Sequence, residues 1–516
     1  MDWGLSLGSE AANLVQMRFH LRVLALVAMT VFGGVAAAEE ATGKKTDEPK
    51  APIVERLNVT KSAVVSIAGK PVAYAVTTGK ITIRDAAGLE QASIFSISYV
   101  RDKTESQPDR PVMFAFNGGP GSSSVWLHLG ILGPKRVAFP DNGLSPITPP
   151  ARLVGNEFSI LDACDLVFID PISTGYSRAA KPEDAKNFHG VQSDIESVGE
   201  FIRQWLTKNK RWDSPKYLCG ESYGGIRAAG LADYLQDRYG MSLNGVILLS
   251  SLLDYRTIIA SSGSQLSHQI YLPAFTTTAL YHGKIQGNRD ELLKAARELS
   301  FSEYGVALLK GNTIGDEELS GVSAKLEKLT GLTADFWKRH QLRVDPFEFR
   351  AELLRDQGKV VGRFDSRVAW DADDQEADSA TYDPSFSLAI GAYSTAMLAY
   401  LTDELGWEDE KHYEILTTDV YPWSYGADNR IINMTDKIVS AIRENPKLKV
   451  LVMGAYADLA TPPDGVRYSF SQAMNFPENL RGQVKYAYYD SGHMFYTNLA
   501  DLAKARADLL DFLGKN

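Results

Sequence analysis

The sequence predicts an α/β fold: a central, mostly parallel sheet with helices on both faces and a largely helical cap insertion. Two repeating patterns and one interruption carry this expectation. Short continuous apolar runs ending in turn residues recur as "PVMFAFNGG" (111–119), "CDLVFIDPI" (164–172), "KYLCGES" (216–222), "NGVILLSS" (244–251), "KLKVLVMGAYAD" (447–458) and "VKYAYYDSG" (484–492). Unbroken rather than alternating apolarity marks strands covered on both faces. Helical patterns such as "VQSDIESVGEFIRQWLTKN" (191–209) and "GIRAAGLADYLQDRYG" (225–240) lie between them, which is the alternation of a doubly wound sheet. From about 254 to 445 the strand rhythm stops, and helical stretches such as "NRDELLKAARELS" and "PFEFRAELLRDQGK" take over.

The elements are expected in this order. From Met17 the chain reads "MRFHLRVLALVAMTVFGGVAAAEE", with Arg18 and Arg22 ahead of an apolar run and Ala36-Ala37-Ala38 as a small-residue cleavage site. Residues 1–38 are therefore assigned to a signal peptide with its true start at Met17; the run is too short and ends too softly for a membrane anchor. Export to a periplasm or beyond the cell follows. Residues 39–56 are charged and poor in apolar side chains, as in a disordered mature N-terminus. Glycine-punctuated, β-branched runs between 62 and 100 predict antiparallel hairpins. The sheet domain is assigned to 57–254 and 446–516, the cap insertion to 255–445, and an amphipathic helix (498–514) closes the chain.

Composition excludes several functions. A net charge of −10 over 516 residues argues against nucleic-acid or anionic-membrane partners, which need a basic surface. Cys164 and Cys219 each sit in a strand-like run, the profile of buried free thiols. No Cys-x-x-Cys or His-Glu-x-x-His occurs and the eight histidines are scattered, so neither metal nor cofactor is expected.

The chemistry is expected at Gly220-Glu221-Ser222-Tyr223-Gly224, a Gly-x-Ser-x-Gly turn between strand and helix. Such a turn projects a serine hydroxyl beside a helix N-terminus, and glycines are needed where strand and helix nearly touch. A serine needs a base to take its proton, and the base needs a carboxylate to orient it. In an α/β-hydrolase the order is serine, acid, histidine, the last two after late strands. Asp458 and His493 stand at those places, with Asp490 and Asp464 as rival acids. The loop Asn117-Gly118-Gly119-Pro120-Gly121 offers oxyanion donors, namely the N–H groups of Gly119 and Tyr223. A phosphate loop is disfavoured because no Lys-Ser/Thr follows the glycines.

With these segments the chain resembles the serine carboxypeptidase family, as a bacterial-type member. Asn-Gly-Gly-Pro-Gly (117–121), Gly-Glu-Ser-Tyr-Gly-Gly (220–225), Gly454 with Asp458, Gly-His-Met (492–494) and "DPISTGYSR" (170–178) carry the likeness. The resemblance implies a secreted exopeptidase acting on peptides with a free C-terminal carboxylate, with Ser222, Asp458 and His493 as its triad. It also implies that Asn117, the Gly118 backbone and Glu221 hold that carboxylate. A protonated Glu221 suits this, since an ionised one would repel its ligand. Three positions depart from the family pattern: Ala115 replaces a tryptophan, Ser122 a cysteine, and Ile131 the glutamate that usually partners the motif glutamate. The last loosens the expectation of an acidic optimum. An esterase or acyltransferase with the same triad is the alternative enzyme, and a non-catalytic binding protein on this fold is the alternative outside enzymes.

Overall fold

Two hairpins open the fold. β1 (Val59–Ile67), β2 (Lys70–Arg84) and β3 (Glu90–Arg101) pair antiparallel in sequence order. The β1–β2 turn places Ala68 and Gly69 at φ 47° and 77°, the positive pair that matches the twist of flanking strands. The computed structural model describes residues 58–102, 110–261, 263–426 and 431–515. The expected signal peptide (1–38) and the whole of the expected disordered N-terminus (39–56) lie outside them.

Six strands with continuous apolar sequence follow: β4 (Val112–Phe116), β5 (Asp165–Ile169), β6 (Lys216–Glu221), β7 (Gly245–Leu249), β8 (Lys449–Ala455) and β9 (Val484–Tyr489). The sheet order is β1-β2-β3-β5-β4-β6-β7-β8-β9, and a short strand, Arg178–Ala179, adds to β3. From β5 to β9 all pairings are parallel, whereas β3 meets β5 antiparallel. Register aligns Phe116 with Gly220, Leu249 with Glu221 and with Met453, and Ala455 with Tyr489. The carboxyl ends of β4, β6, β7, β8 and β9 thus finish at one edge, where open α/β sheets present their sites.

Alternate residues of each strand feed two hydrophobic layers. Met113, Ala115, Cys219, Ile247, Leu249 and Met453 enter one. Phe114, Leu218, Val246, Leu248 and Val450 enter the other, with α1 (Val191–Lys208) and α2 (Gly224–Tyr239). Cys164 and Cys219 are buried free thiols in the first layer.

The inserted stretch divides by what it packs against. Residues from Tyr271 to Val361, including α3 (Leu266–Tyr281), build a core of their own that also takes in Leu459. α4 (Pro384–Ala399) and the segment to Ile415 join the first sheet layer through Ala389, Tyr393, Met397 and Tyr413. Val420, Trp423 and α5 (Thr435–Glu444) join the second. The chain ends in α6 (Leu499–Phe512) against the first layer. Among the described residues no helix is long and apolar enough to cross a membrane, and no group of three His, Cys, Asp or Glu is placed to hold a metal ion.

Candidate active site

β6 stops at Glu221 and α2 starts at Gly224, so the turn between them is two residues long. That economy forces Ser222 to φ 61°, a left-handed conformation costing a non-glycine residue on the order of 1–3 kcal/mol. Local hydrogen bonds hold it: the Ser222 N–H is shared by the carbonyls of Leu249 and Ser250, each at 3.1 Å, and its carbonyl accepts from Gly225 N–H at 2.9 Å. A Cβ at Gly220 would stand 2.0 Å from the Gly224 carbonyl oxygen, so strand and helix do touch where the sequence requires glycine. Ser222 is partly exposed between buried Glu221 and Tyr223.

His493 and Asp458 lie in the turns after β9 and β8. The imidazole Nδ1 meets Asp458 Oδ2 at 2.8 Å, with both side chains buried. Asp458 Oδ1 accepts from the N–H groups of Ala460 at 2.7 Å and Thr461 at 2.9 Å. Thr461 Oγ1 lies 2.8 Å from Asp458 Oδ2 and 2.7 Å from the Ser250 carbonyl, with one proton to give. Burial alone would lower the His493 pKa; the Asp458 charge, its hydrogen bond and the charge of Glu221 outweigh it and raise the pKa above the usual imidazole value. The hydrogen-bonded pair reaches the Ser222 turn through Ser250, whose carbonyl accepts from Ser222 N–H and whose hydroxyl donates to the His493 carbonyl at 2.7 Å. The rival acids are engaged elsewhere: Asp490 with Arg289 at 2.5 Å, Asp464 with Arg297 at 2.7 Å.

The loop after β4 closes the other side. A Cβ on Gly118 would come within 2.4 Å of the Tyr223 nitrogen, so this loop lies directly on the Ser222 turn. Asn117 Oδ1 accepts from Leu127 N–H at 3.1 Å, and its carbonyl accepts from Arg227 Nη1 at 2.5 Å. Arg227 is buried on α2 and donates through Nε to both oxygens of Asp194 on α1, at 3.0 and 2.8 Å. Ser122, at the family's cysteine position, accepts from Trp126 Nε1 at 2.9 Å.

Glu221 is buried beside this loop. Burial pushes its pKa up to about 7, against the charge of His493 and hydrogen bonds from Tyr496 and Asn117, which favour the ionised form. The Tyr496 hydroxyl donates to the carboxyl group, 3.1 Å from Oε2 and 3.3 Å from Oε1.

The sequence reading missed several supports. Tyr496 was not singled out, although it lies three residues beyond His493. Arg227 and Asp194 interrupt otherwise apolar or small-residue helix faces, a signal that could have found them. Residues of the insertion brace the turns of His493 and Asp458 and the loop of Gly119, and no sequence pattern pointed to them. The Phe364 carbonyl accepts from His493 N–H at 2.5 Å and its ring lies 5.0 Å from the imidazole. Tyr271 Oη donates to the Leu459 carbonyl at 3.3 Å, Thr277 Oγ1 to that of Tyr456 at 2.7 Å, and Tyr421 Oη to that of Gly119 at 3.2 Å.

A strained serine between strand and helix, with a hydrogen-bonded His–Asp pair after later strands of a parallel sheet, marks the α/β-hydrolase class. Within it the chain belongs to the serine carboxypeptidase family, whose model, described as "Serine carboxypeptidase", matches residues 88–497. Serine carboxypeptidase-like 16 of Arabidopsis thaliana is 30% identical over 200 residues, 36% of this chain and 42% of that protein. Serine carboxypeptidase-like 50 of the same plant is 27% identical over 241 residues, 45% of this chain and 47% of that protein. The chain thus spans less than half the length of these relatives. A prohormone-processing carboxypeptidase from Saccharomyces cerevisiae shares the fold, with a TM-score of 0.51 at 15% identity over 86% of this chain and 91% of its own.

Proposed function

We propose that this protein is an exported, bacterial-type serine carboxypeptidase that removes C-terminal residues from peptides through an acyl-enzyme on Ser222. The observation that carries the reading is the buried, protonatable Glu221 immediately before Ser222 and beside Asn117. A carboxyl able to stay protonated near neutrality donates a hydrogen bond to a substrate carboxylate, where an ionised one would repel it. Family membership and the relatives' names support the same substrate class, peptides with a free C-terminus. The leader pattern ahead of Ala38 supports export, and within residues 255–445 the part with a core of its own, Tyr271 to Val361, acts as the cap bounding the side-chain pockets.

In this reading Asn117, the Gly118 backbone and Glu221 fix the peptide's terminal carboxylate, and so set which carbonyl meets Ser222. His493 Nε2 takes the serine proton as Oγ bonds to the carbonyl carbon, while Nδ1–H stays on Asp458 and the pair stabilises the imidazolium. The N–H groups of Gly119 and Tyr223 receive the oxyanion. The imidazolium then protonates the leaving amine, and water attacks the ester by the same steps in reverse order.

The test compares a blocked dipeptide with a free C-terminal carboxylate against the same peptide amidated, from about pH 4 to 8. Preference for the free acid that fades above neutral pH is the expected result. Equal or faster cleavage of the amide would leave the hydrolase standing and point to an esterase or acyltransferase. Ser222→Ala is the control, expected to lose on the order of 10⁶ in kcat.

A further inference from the structure

The carboxyl partner that the motif glutamate has in the resembling family is missing here, since Ile131 is buried among apolar side chains of the first sheet layer. The neighbour found at Glu221 comes instead from the far end of the chain. Tyr496 is 2% exposed, and its hydroxyl lies within hydrogen-bonding distance of both carboxyl oxygens. Room for the ring is made at Gly130, one residue before Ile131. A Cβ at Gly130 would stand 2.3 Å from Tyr496 Cε2 and 2.9 Å from the Tyr393 hydroxyl. The small residue and the tyrosine thus form one arrangement: the ring passes over Gly130 and delivers its hydroxyl to Glu221.

We propose that Tyr496 is a positioning residue that stands in for the absent second carboxyl, fixing the Glu221 carboxyl in place and setting the pH at which it gives up its proton. This rests on the reading of the Glu221 pocket as the substrate-carboxylate site.

The charge logic differs from that of a carboxyl pair. Two adjacent carboxyls share a proton because both cannot ionise, so one holds its proton far up the pH scale. A tyrosine hydroxyl carries no charge at neutral pH and acts as a donor, which favours the ionised carboxylate. The other groups facing Glu221 are His493 and Asp458 from the turns after β9 and β8, Asn117 from the loop after β4, Tyr393 from α4, and Cys219 on its own strand. Of these His493 and Asn117 also favour ionisation, while burial and Asp458 oppose it. Removing the Tyr496 hydroxyl therefore leaves Glu221 protonated to higher pH. A bound substrate carboxylate pushes the same way, so Glu221 takes up a proton from solvent as the peptide binds.

Tyr496→Phe keeps the ring and deletes the donor. Its direct readout is the titration of the Glu221 carboxyl by pH-difference infrared spectroscopy, with the band assigned by its loss in Glu221→Gln. The expected result is a midpoint moved to higher pH than in the parent protein, together with a KM for the free-acid dipeptide that begins its rise at higher pH. kcat at the plateau should change less than KM. Gly130→Ala, which must push the ring off its seat, should move the infrared midpoint in the same direction. A Glu221 midpoint unmoved in Tyr496→Phe overturns the proposal, whatever the activity. The carboxylate-site reading fails separately, if the parent protein shows no preference for the free acid over the amide. An infrared shift in Tyr496→Phe would then still establish the tyrosine as the group that sets Glu221.

Discussion

Asp458 and Glu221 are two buried carboxyl groups beside one serine, and their surroundings have little in common. Asp458 receives two backbone N–H groups, lies against the Thr461 hydroxyl and takes the imidazole N–H of His493. Fixed donors surround it on every side, so it is built to accept and to orient. Glu221 has a tyrosine hydroxyl and the Asn117 side chain for company, and burial pushes its pKa up to about 7. It is built to exchange a proton. Both groups are within the same few per cent of complete burial, so burial does not separate them; the number and kind of donors do. In the proposed reading, one half of the site governs how fast a bond is broken and the other which peptide end is held.

Breaking the orienting half should have the largest effect. Asp458→Asn retains the shape but presents an amide to His493 Nδ1, which favours the wrong imidazole tautomer. A loss on the order of 10⁴ in kcat is expected. It should fall equally on free-acid and amidated dipeptides, because the imidazole serves both. A loss confined to the free acid would place Asp458 in the holding half instead and undo the contrast.

The holding half depends on a buried ion pair that reaches it through the backbone. Arg227 donates to the Asn117 carbonyl and to Asp194, and all three residues are buried. Arg227→Met leaves Asp194 without its cation in the interior. Destabilisation of about 3–5 kcal/mol is expected, read as a lowered urea midpoint. Adding Asp194→Asn should recover part of it, since burial disfavours the Asp194 charge and raises its pKa from the ordinary aspartate value even beside Arg227. No recovery in the double variant would show that the contact with Asn117, rather than the unpaired charge, carries the cost.

The two halves also differed in how far the sequence revealed them. Asp458 and His493 follow strands whose continuous apolar runs, "KVLVMGA" and "VKYAYY", are readable as parallel strands; the fold's order requires an acid between Ser222 and His493, and of the three candidates there Asp458 is the one that directly follows a strand of its own. The hairpins were legible because their residues alternate or are β-branched, and turn glycines separate them. Glu221 could be named from its motif, but Tyr496 could not be named as its partner. That contact spans 275 positions and depends on a ring crossing Gly130, a fact of packing with no local pattern. The insertion was illegible for the same reason. Its helices were readable, but not that Phe364, Tyr271 and Tyr421 would reach back to brace the turns carrying His493, Asp458 and Gly119, or that α4 and α5 would pack into the sheet layers.

The smallest expected effect is the most informative, because it reports the two halves acting on each other. His493 must be neutral to accept the serine proton, so the ascending limb of the rate follows its pKa, and activity falls as pH drops through it. Three influences raise that pKa against burial: the Asp458 charge, the Asp458 hydrogen bond and the charge of Glu221. Glu221→Gln removes only the last. On an amidated dipeptide, which makes no use of the carboxylate clamp, the ascending limb should therefore move to lower pH while the plateau kcat stays close to that of the parent. On the free acid the same variant should raise KM below neutral pH, where the parent Glu221 carries its proton, because the particular geometry of that donor is lost. Steady-state profiles on the two substrates separate these effects. A limb unchanged on the amide would mean that Glu221 is neutral wherever His493 titrates, and the holding half would then sense the substrate without informing the base.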